Sequence, residues 1–555
     1  MQAMLNHFNL WALMKYFLRI IIITLVALCA LTGCKKHKTL VDIGNEQHIL
    51  HVGNADEIAD VDPHTTTGTP EHNIQTSLFE GLVLQDPETL KPKPGVADSW
   101  TVSDDGKIYR FHIREDAKWS NGDKLVAQDF VETWHRALMP ALANQWASYL
   151  FVISNAESFY TGAIKDFSEV GVKALDEQNL EIKLANNTPY FLQLLNHNSM
   201  YPLHIKTILK FGAIDERSTQ WTKAKNFVGN GPFVLAEWTP QKVVVVKRSP
   251  YYWDVKNVKL KEIHFYPIQS EVNAERSYRA GQIHLFDKLP KEKIAHYKNK
   301  QDPAYRTFPM YGTYFYRFNT KIKPFNDVRV RKALAYSLDR ESLVKNVTKG
   351  GELAAYTLTP PNPYGYTSKA QIPYDLEKAK QLLADAGYAN GVGFPRMKLL
   401  YNTLEGHQKI AVAIQEMWKK SLGIEIQLEN QEWKTFLENQ RTMNYELCRA
   451  SWIGDYIDPD TFLQLFITDG GNNETGWSNA TYDQLIKKAA NSSNESERFE
   501  YFQQAEKILD EEVPIIPLYT YVGNRLVSPS VKGWKNHLQD FWSYKDLYLE
   551  PQVSP

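Results

Sequence analysis

The chain has 555 residues, 43% of them hydrophobic and 23% charged, with a formal net charge of −1 at pH 7. This composition excludes a disordered or repetitive chain, and the near-zero charge gives no electrostatic footprint for nucleic acid. Hydrophobic cores stop growing at ~250–300 residues, so the length predicts two or three compact units.

The N-terminal residues have the pattern of an export signal. Lys15 and Arg19 precede the apolar run 20–30, which is shorter than the ~20 residues that a membrane-spanning helix needs. A positive flank, a short apolar segment and small residues before a cleavage point are typical of a signal peptide. We therefore predict a signal peptide over 1–33, with Met14 as an alternative to the first methionine as its start.

The predicted cleavage point precedes a cysteine. Leu-Thr-Gly-Cys, which ends at Cys34, resembles the bacterial lipobox, and this implies that a lipidated Cys34 becomes the first residue of the exported protein. A plain secretion signal with a coincidental cysteine is the alternative. Cys29 would leave with the signal, so Cys448 would remain alone and no internal disulfide is expected.

Turn and strand signals alternate along the chain. Pro and Gly clusters at 91–95 and 229–232 predict turns or domain edges. Residues 180–184 alternate apolar and polar side chains, which predicts a half-buried strand, and the same alternation recurs at 424–428. Residues 243–246 are all valine, which predicts a more buried strand.

Helix signals with recognisable ends lie in the second half of the chain. Asn326 or Asp327 can open one helix and Asp375 another, because short polar side chains accept hydrogen bonds from the first helical turn. Gly387 can end the second helix. A further turn cluster lies at 360–365. Helices and strands in mixed order predict an α/β fold in which helices cover sheets.

Local signatures of catalysis are absent from the sequence. It contains no Gly-x-Ser-x-Gly, no His-Glu-x-x-His, no Cys-x-x-Cys and no Gly-x-x-x-x-Gly-Lys-Ser/Thr motif. Gly229-Asn230-Gly231 lacks the third glycine and the following helix of a nucleotide-binding loop. The 15 histidines have no metal-ligand spacing on a single element. We therefore expect a protein that is not an enzyme and that uses no cofactor and no metal.

Several blocks in a consistent order are similar to one known family. The longest is 109–130, and the others are 61–64, 77–82, 94–100, 324–331, 399–403 and 430–437. Together they span nearly the whole chain after the predicted signal. On these residues the chain is identified as a member of the family-5 extracellular solute-binding proteins of ABC importers, within which it resembles the bacterial oligopeptide-binding proteins.

This resemblance implies an α/β fold of the periplasmic-binding-protein type, in the class with an extra domain. Two lobes joined by a hinge would close over an extended ligand. The implied division of the chain is lobe 1 at 34–78, 205–311 and 522–555, an extra domain on lobe 1 at 79–204, and lobe 2 at 312–521.

The resemblance also implies a function and its partners. The protein would be a substrate-binding lipoprotein that captures short peptides with free termini and delivers them to an ABC permease and ATPase complex. It would act as a monomer, anchored to the membrane through its N-terminal lipid, on the periplasmic or extracellular side. The alternatives are another ligand of the family (murein peptide, dipeptide, haem or a nickel chelate) or, from a different class, an exported hydrolase, which would consume peptide rather than return it.

An acid and a base in the segment 449–456 suit the two ends of a short peptide. If the segment were extended at ~3.3 Å per residue, Arg449 and Asp455 would share a face up to ~20 Å apart. A buried ammonium needs a carboxylate, and a carboxylate suits the forked guanidinium of arginine. The resemblance implies that Asp455 binds the peptide ammonium and Arg449 its carboxylate. Without it, Asp455 could be a turn residue and Arg449 a member of a surface ion pair.

The resemblance implies further contacts with the peptide. His407 would lie near the peptide carboxylate, and the pocket and backbone contacts would come from Trp146, Asn402, Trp433, Ser451, Trp452, Gly454 and Tyr521. Flat aromatic faces suit side-chain pockets that accept many partners. Taken alone, each tryptophan could equally belong to the core, and a single histidine is commonly structural.

Overall fold

The structure is a computed structural model that describes residues 14–18, 38–363, 365–492 and 494–550. Apart from 14–18, the predicted signal peptide lies outside the described residues, and so does the predicted lipid anchor Cys34. Among the helices of the described part, none combines the length and the apolar character that crossing a bilayer requires.

Helices and strands alternate along the described chain. The strands are β1 (Ile49–Gly53), β2 (Val83–Gln85), β3 (Pro92–Pro94), β4 (Ala97–Val102), β5 (Ile108–Ile113), β6 (Val172–Ala174), β7 (Asn179–Lys183), β8 (Phe233–Thr239), β9 (Val243–Arg248), β10 (Glu262–Tyr266), β11 (Leu285–Phe286), β12 (Tyr305–Phe318), β13 (Leu353–Ala354), β14 (Met397–Asn402), β15 (Ile426–Gln431), β16 (Leu447–Ile453), β17 (Ile515–Leu526), β18 (Val531–Lys532) and β19 (Tyr548–Leu549). The helices are α1 (Leu40–Gln47), α2 (Thr69–Leu78), α3 (Ala127–Ala137), α4 (Ala156–Tyr160), α5 (Phe191–Leu194), α6 (Ile205–Ile208), α7 (Glu271–Arg279), α8 (Lys291–Asn299), α9 (Val328–Tyr336), α10 (Arg340–Leu343), α11 (Leu376–Asp385), α12 (Glu405–Leu422), α13 (Trp433–Arg441), α14 (Asp460–Leu463), α15 (Ala480–Asn491) and α16 (Glu495–Glu512).

The strands form three larger sheets. The first has the order β11-β1-β10-β9-β8, and β1 runs parallel to both of its neighbours. The second, with the order β13-β17-β12-β16-β14-β15, also mixes parallel and antiparallel pairs. The third is the antiparallel sheet β4-β5-β7-β6. Mixed sheets with helices between their strands confirm the predicted α/β class.

Separate hydrophobic cores accompany these sheets. One is drawn from residues 82–200, and Tyr456 joins it from the second half of the chain. Another combines residues 50–265 with Leu285 and the C-terminal residues 527–549. Two more are built almost wholly from residues 311–519. The second core brings both halves of the sequence into one unit, whereas the lobe boundaries inferred from the sequence stay a prediction.

Two long strands connect the second sheet to the first. β12 has 14 residues and β17 has 12, and they pair antiparallel from Tyr305 opposite Leu526 to Arg317 opposite Ile515. The register shifts between Pro309 and Thr313, which interrupts the ladder of hydrogen bonds. Val527, directly after β17, bridges Leu285 of the first sheet, so these strands lead from the second sheet to the edge of the first.

The predicted helix ends are confirmed. The carboxylate of Asp375 accepts a hydrogen bond from the backbone N–H of Lys378 at 2.9 Å and caps α11. Gly387 follows that helix with φ +91°, a left-handed conformation that glycine adopts without steric cost. Asp327 caps α9, and its carboxylate accepts from the backbone N–H of Arg329 at 2.8 Å. Local side-chain chemistry therefore ends these helices, as the sequence indicates.

Two predicted elements differ from the structure. The cluster at 91–95 is not only a turn, because Pro92–Pro94 forms the strand β3. β3 pairs with β2 alone. Proline has no N–H to donate to a neighbouring strand, and an edge strand tolerates this loss. The strand predicted at 424–428 begins at Ile426 and continues to Gln431. The strands at 180–184 and 243–246 are confirmed as β7 and β9, with Val243–Val246 buried.

The segment Gly229-Asn230-Gly231 serves packing. A Cβ on Gly231 would lie 2.4 Å from the carbonyl carbon of Leu78, so only glycine allows this approach. The Asn230 side chain accepts from the backbone N–H of Glu80 at 3.1 Å and donates to the carbonyl of the same residue at 2.7 Å. These contacts account for the motif without a nucleotide.

A buried ion pair joins the first sheet region to α3. The Arg136 guanidinium donates to both carboxylate oxygens of Asp62, at 3.2 and 2.6 Å, and its Nε donates to the carbonyl of Ile214 at 2.7 Å. Both side chains are at most 2% exposed. Burial alone would raise the pKa of Asp62, but Arg136 holds that pKa below its usual value. The pair is fully satisfied, so the loss of one partner would leave a buried charge.

We expect Arg136→Met to lower the free energy of unfolding by about 3–5 kcal/mol, because it leaves the Asp62 carboxylate buried without a counter-ion. The matched control is Arg110→Met, which breaks an ion pair with Glu181 in which the arginine is 60% exposed and should cost at most about 1 kcal/mol. Guanidinium unfolding curves of both variants provide the measurement. Equal losses in the two variants would contradict the importance of the buried pair.

Candidate functional site

A cavity of about 380 Å³ lies between elements from distant parts of the chain. Its wall is formed by residues 65–72 before and within α2, by 145–146 and 196–198, by α13, by β16 with the residues after it, and by 539–541. Ligand pockets commonly fall between ~300 and 1,000 Å³, so a small molecule or a short peptide fits this volume.

Asp455 forms the acidic end of the cavity. It follows β16, its side chain is 18% exposed, and one of its carboxylate oxygens accepts a hydrogen bond from the Tyr149 hydroxyl. Its backbone N–H donates to the Thr461 hydroxyl at 3.1 Å, which fixes the loop. Burial raises the pKa of Asp455 to about 7, and the bond from Tyr149 partly opposes this rise.

His197 lies beside Asp455 but does not neutralise it. Its Nε2 is 3.4 Å from the carboxylate, while its Nδ1 accepts from the backbone N–H of Ser199 at 3.3 Å. The proton of the neutral ring therefore sits on Nε2 and faces Asp455. Burial lowers the pKa of His197 well below its usual range. The acidic end thus has hydrogen-bond donors and no cationic partner among the described side chains.

Arg449 forms a basic position on β16 that also lacks a counter-ion. Its guanidinium donates to the Ser451 hydroxyl at 2.8 Å and to the Tyr521 hydroxyl at 3.1 Å, and it lies 4.9 Å from the ring centroid of Tyr314. Burial alone would lower its pKa, but the surrounding tyrosines raise it. The Nε of Arg449 is buried without a hydrogen-bond partner in the described chain. Neutral groups hold this cation in place and leave it free to meet an anion.

β16 carries both positions at the edge of the cavity. Leu447–Ile453 is the strand, and Gly454 and Asp455 continue beyond it. The Gly454 N–H donates to the carbonyl of Tyr311 at 2.7 Å, and a Cβ at position 454 would lie 2.6 Å from the Tyr311 ring. Glycine is therefore required for the close approach that brings Asp455 into the cavity.

Aromatic side chains form much of the remaining wall. Trp146 and Trp452 lie 5.8 Å apart between ring centroids, and the Trp146 indole donates to the carbonyl of Thr66 at 2.9 Å. Trp433 stacks on Phe436 with centroids 5.9 Å apart and an interplanar angle of 17°. Rigid aromatic faces offer apolar contact area that does not depend on a particular ligand sequence.

The residues predicted from the sequence occupy two layers around the cavity. Trp146, Trp433, Arg449, Ser451, Trp452, Gly454 and Asp455 line the cavity wall. Asn402, His407 and Tyr521 do not line it and lie behind Arg449. The side-chain oxygen of Asn402 accepts a hydrogen bond from the Arg449 guanidinium at 3.5 Å, and the His407 ring lies 3.3 Å from the Tyr314 hydroxyl. Burial, followed by the charge of Arg449, lowers the pKa of His407 well below its usual range. Direct ligand contact by these three residues stays a prediction.

Sequence reasoning missed several residues of the wall. His197 and Glu71 line the cavity, and Tyr149 contacts Asp455 from behind the wall. All three come from elements far from β16 in sequence, and no local motif marks them. Glu71 accepts from the backbone N–H of Ala59 at 2.7 Å, and its second carboxylate oxygen has no hydrogen-bond partner in the described chain. Burial raises the pKa of Glu71 to about 7. Their positions could be found only once the fold had brought these elements together.

Hydrogen bonds cross from residues 145–197 to the segment after β16. The Tyr190 hydroxyl donates to Asp460 at 2.9 Å, and the Ile457 N–H donates to the side chain of Gln193 at 3.0 Å. With the bond between Tyr149 and Asp455, they close the side of the cavity that lies next to the acidic end. The structure is therefore in a closed arrangement at this end.

Comparisons with known proteins agree with this architecture. The family described as "Bacterial extracellular solute-binding proteins, family 5 Middle" matches residues 91–474. The periplasmic oligopeptide-binding protein OppA of Salmonella typhimurium is 37% identical over 524 residues, which cover 92% of this chain and 94% of the relative. Because the similarity covers nearly the full length of both chains, the two proteins share their whole domain architecture rather than one domain.

Two solved structures resolve the state of the cleft. The structure of Haemophilus influenzae OppA in complex with RPPGFSPFR matches with a TM-score of 0.86 at 35% identity, covering 91% of this chain and 99% of the other. The murein tripeptide binding protein MppA in its unliganded open form, also 35% identical, covers 91% of this chain and 98% of its own but reaches a TM-score of only 0.61. The match to the peptide complex confirms the two-lobed fold. The lower score against an open form at equal identity agrees with a closed cleft.

Tyr149→Phe should raise the pKa of the Asp455 carboxyl above its value of about 7, because it removes a hydrogen bond that favours the ionised form. Titration of the labelled carboxyl carbon by NMR provides the measurement. Tyr190→Phe is the matched control, since its hydroxyl donates to Asp460 and not to Asp455. An unchanged or lower pKa in Tyr149→Phe would refute the direction of this contact.

Proposed function

Because the chain belongs to the bacterial extracellular solute-binding proteins of family 5, we propose that it captures short peptides with free termini and delivers them to an ABC-type peptide importer. The observation that carries this proposal is the pair of opposite, uncompensated charges, Asp455 and Arg449, along one edge of a closed cavity. A peptide is a ligand that offers an ammonium and a carboxylate at opposite ends.

In this proposal Asp455 binds the peptide ammonium. The ammonium would replace water at a carboxylate that already accepts a hydrogen bond from Tyr149. A cation in contact with the Asp455 carboxyl favours its ionised form. Peptide binding below neutral pH is therefore accompanied by loss of a proton from Asp455. His197 faces the same carboxylate as a neutral donor and does not compete as a counter-ion.

Arg449 is proposed to bind the peptide carboxylate, with His407, Asn402 and Tyr521 supporting it from behind. The guanidinium is held by hydroxyl groups and an aromatic ring, so its charge is available to a ligand. Between the two ends, an extended peptide can pair with protein backbone in the manner of an added strand, which gives affinity without reading sequence. Trp146, Trp433 and Trp452 would receive its side chains, next to the backbone of Ser451 and Gly454.

Binding and release follow from closure of the two lobes. We place the lobe boundaries at 312 and 521, within β12 and β17, where the interrupted ladder can absorb a change of angle. The extra domain at 79–204 supplies Tyr149, and lobe 2 supplies Asp455, so the bond between them forms on closure. The proposed role contains no chemical step: the protein acts as a monomer that binds and returns its ligand unchanged, and the importer supplies the energy.

A murein tripeptide is the second candidate ligand. The similarity to MppA, a murein tripeptide binding protein that is 35% identical, favours it. Such a ligand also presents an ammonium and carboxylates to the same two charges. Competition between trialanine and murein tripeptide for the purified protein decides between them, since the physiological ligand should displace the other at lower concentration.

Asp455→Asn should weaken binding of a free tripeptide by about 2–5 kcal/mol, because it removes one partner of a desolvated charge pair. Acetylation of the peptide N-terminus should weaken binding to the unaltered protein similarly. The two losses should not add, because both remove the same pair. Isothermal titration calorimetry of both proteins with both peptides, free and acetylated, gives the four affinities of this double-mutant cycle.

The control for this cycle is Asp469→Asn, which makes the same change at an exposed position outside the cavity wall and should leave affinity unchanged. Equal binding of acetylated and free peptide by the unaltered protein would refute the assignment of Asp455. Hydrolysis of the peptide during the titration would refute the binding role in favour of an exported hydrolase.

We also propose export as a lipoprotein, with lipid on Cys34 and the folded part facing the periplasm or the outside of the cell. The support is the sequence pattern of the first 34 residues, which the lipobox resemblance completes. Cys34→Ser should move the protein from the membrane fraction to the soluble exported fraction and abolish incorporation of labelled fatty acid. The control is Cys448→Ser, at a buried thiol that should carry no lipid. Membrane retention in Cys34→Ser would overturn this proposal.

A further inference from the structure

Some of the charged side chains of the cavity wall are paired with another charged residue. Glu438 accepts two hydrogen bonds from Arg441, at 3.2 and 2.7 Å, and Glu474 forms an ion pair with Arg317. Asp540 is paired with Arg525 behind the wall. In each of these ion pairs the two charges neutralise each other, so the pairs offer little net charge to a ligand side chain.

Besides Arg449, two cations of the wall have no carboxylate partner among the described residues. The Arg217 guanidinium is held by carbonyl oxygens: it donates to Leu142 at 2.7 Å, to Ala143 at 3.1 Å and to Thr65 at 3.3 Å. Carbonyls fix the position of this group without removing its charge, and arginine stays charged at neutral pH. The Lys434 ammonium, at the start of α13, forms no ion pair within the described chain.

The backbone at 65–68 joins these cations to the proposed side-chain pockets. Thr65 accepts from Arg217, the next carbonyl, that of Thr66, accepts from Trp146, and Gly68 lies against Trp433, which precedes Lys434. Arg217 and Lys434 line the same cavity as the aromatic wall where ligand side chains would lie. Burial lowers the pKa of Arg217, and the charge of Asp62 opposes this shift.

Two acids that could cancel these positive charges are already engaged. Asp62 is bound by Arg136, and Glu438 by Arg441. Glu71 is the wall carboxyl that lies outside these pairs and outside the proposed ammonium site, and when ionised it supplies one negative charge against the two cations. A peptide whose termini are met by Asp455 and Arg449 would thus still face net positive charge.

We propose that the side-chain pockets select peptides with an acidic side chain, and that Arg217 and Lys434 determine this selectivity. The inference rests on the proposed function, because it presumes that Asp455 and Arg449 are occupied by the peptide termini. A lysine side chain would place a third cation beside these two, whereas a glutamate would supply their missing counter-ion.

The test compares tripeptides that carry Glu, Gln or Lys in turn at each position of an alanine background. Gln is isosteric with Glu and isolates the charge. In calorimetric titrations of the unaltered protein, we expect Glu to bind about fivefold more tightly than Gln at one or more positions, and Lys to bind more weakly than Gln. In Arg217→Met/Lys434→Met the ratio of Glu to Gln affinity should fall to about one.

Matched controls separate this effect from a general loss of positive charge. Arg396→Met/Lys242→Met removes the same two charges at exposed positions outside the cavity wall and should leave the ratio unchanged. Lys434→Met alone keeps the carbonyl contacts of Arg217, so it tests the proposal if the double variant does not fold. A partial fall of the ratio is expected in that variant.

The outcomes distinguish this inference from the proposed function. Suppose that Gln peptides bind and that acetylation weakens their binding. If Glu peptides then bind no more tightly than Gln peptides at any position, or if the ratio of Glu to Gln affinity is unchanged in the double variant, the selectivity proposal is overturned and peptide binding stands. If no tripeptide binds, or acetylated and free forms bind equally, the proposed function fails and the selectivity proposal fails with it.

Discussion

A charge that has been removed from water must be met by an opposite charge, and the cleft holds two charges that the described protein leaves unmet. Asp455 is contacted by a tyrosine hydroxyl and a neutral histidine, and Arg449 by hydroxyls and an aromatic ring. Neutral partners orient these groups without cancelling them. In the proposed function a peptide supplies both counter-charges, and a buried charge without a partner costs several kcal/mol.

The segment that carries Asp455 also bridges the cleft. Tyr149 and Gln193 come from the region of the third sheet, and they bond to the loop after β16 in the second sheet. The carboxylate that we propose for the ligand ammonium is thus also the group that contacts Tyr149 on the opposite side of the cleft. The match to a peptide complex at a TM-score of 0.86, against 0.61 for an open unliganded relative, agrees with a closed cleft.

Much of the fold follows from local sequence signals. Asp375 and Asp327 cap helices as their positions indicate, and the valine run at β9 is a buried strand. The signal failed at Pro92–Pro94, which looks like a turn but forms a short strand because it pairs with β2 in a hairpin. Side-chain periodicity reports which face of one element is buried, and it carries no information about the neighbour.

The sequence by itself determined the α/β class, the helix caps and the placing of Arg449 and Asp455 on one short segment, because each depends on residues close together in the chain. Only the tertiary structure decided that Tyr149 and His197 face Asp455, and that carbonyls rather than carboxylates hold Arg217. These contacts join residues far apart in sequence. Whether a charged side chain has a counter-ion depends on the distance between elements that are far apart in sequence. Folding alone sets those distances, because it brings the ends of long loops together.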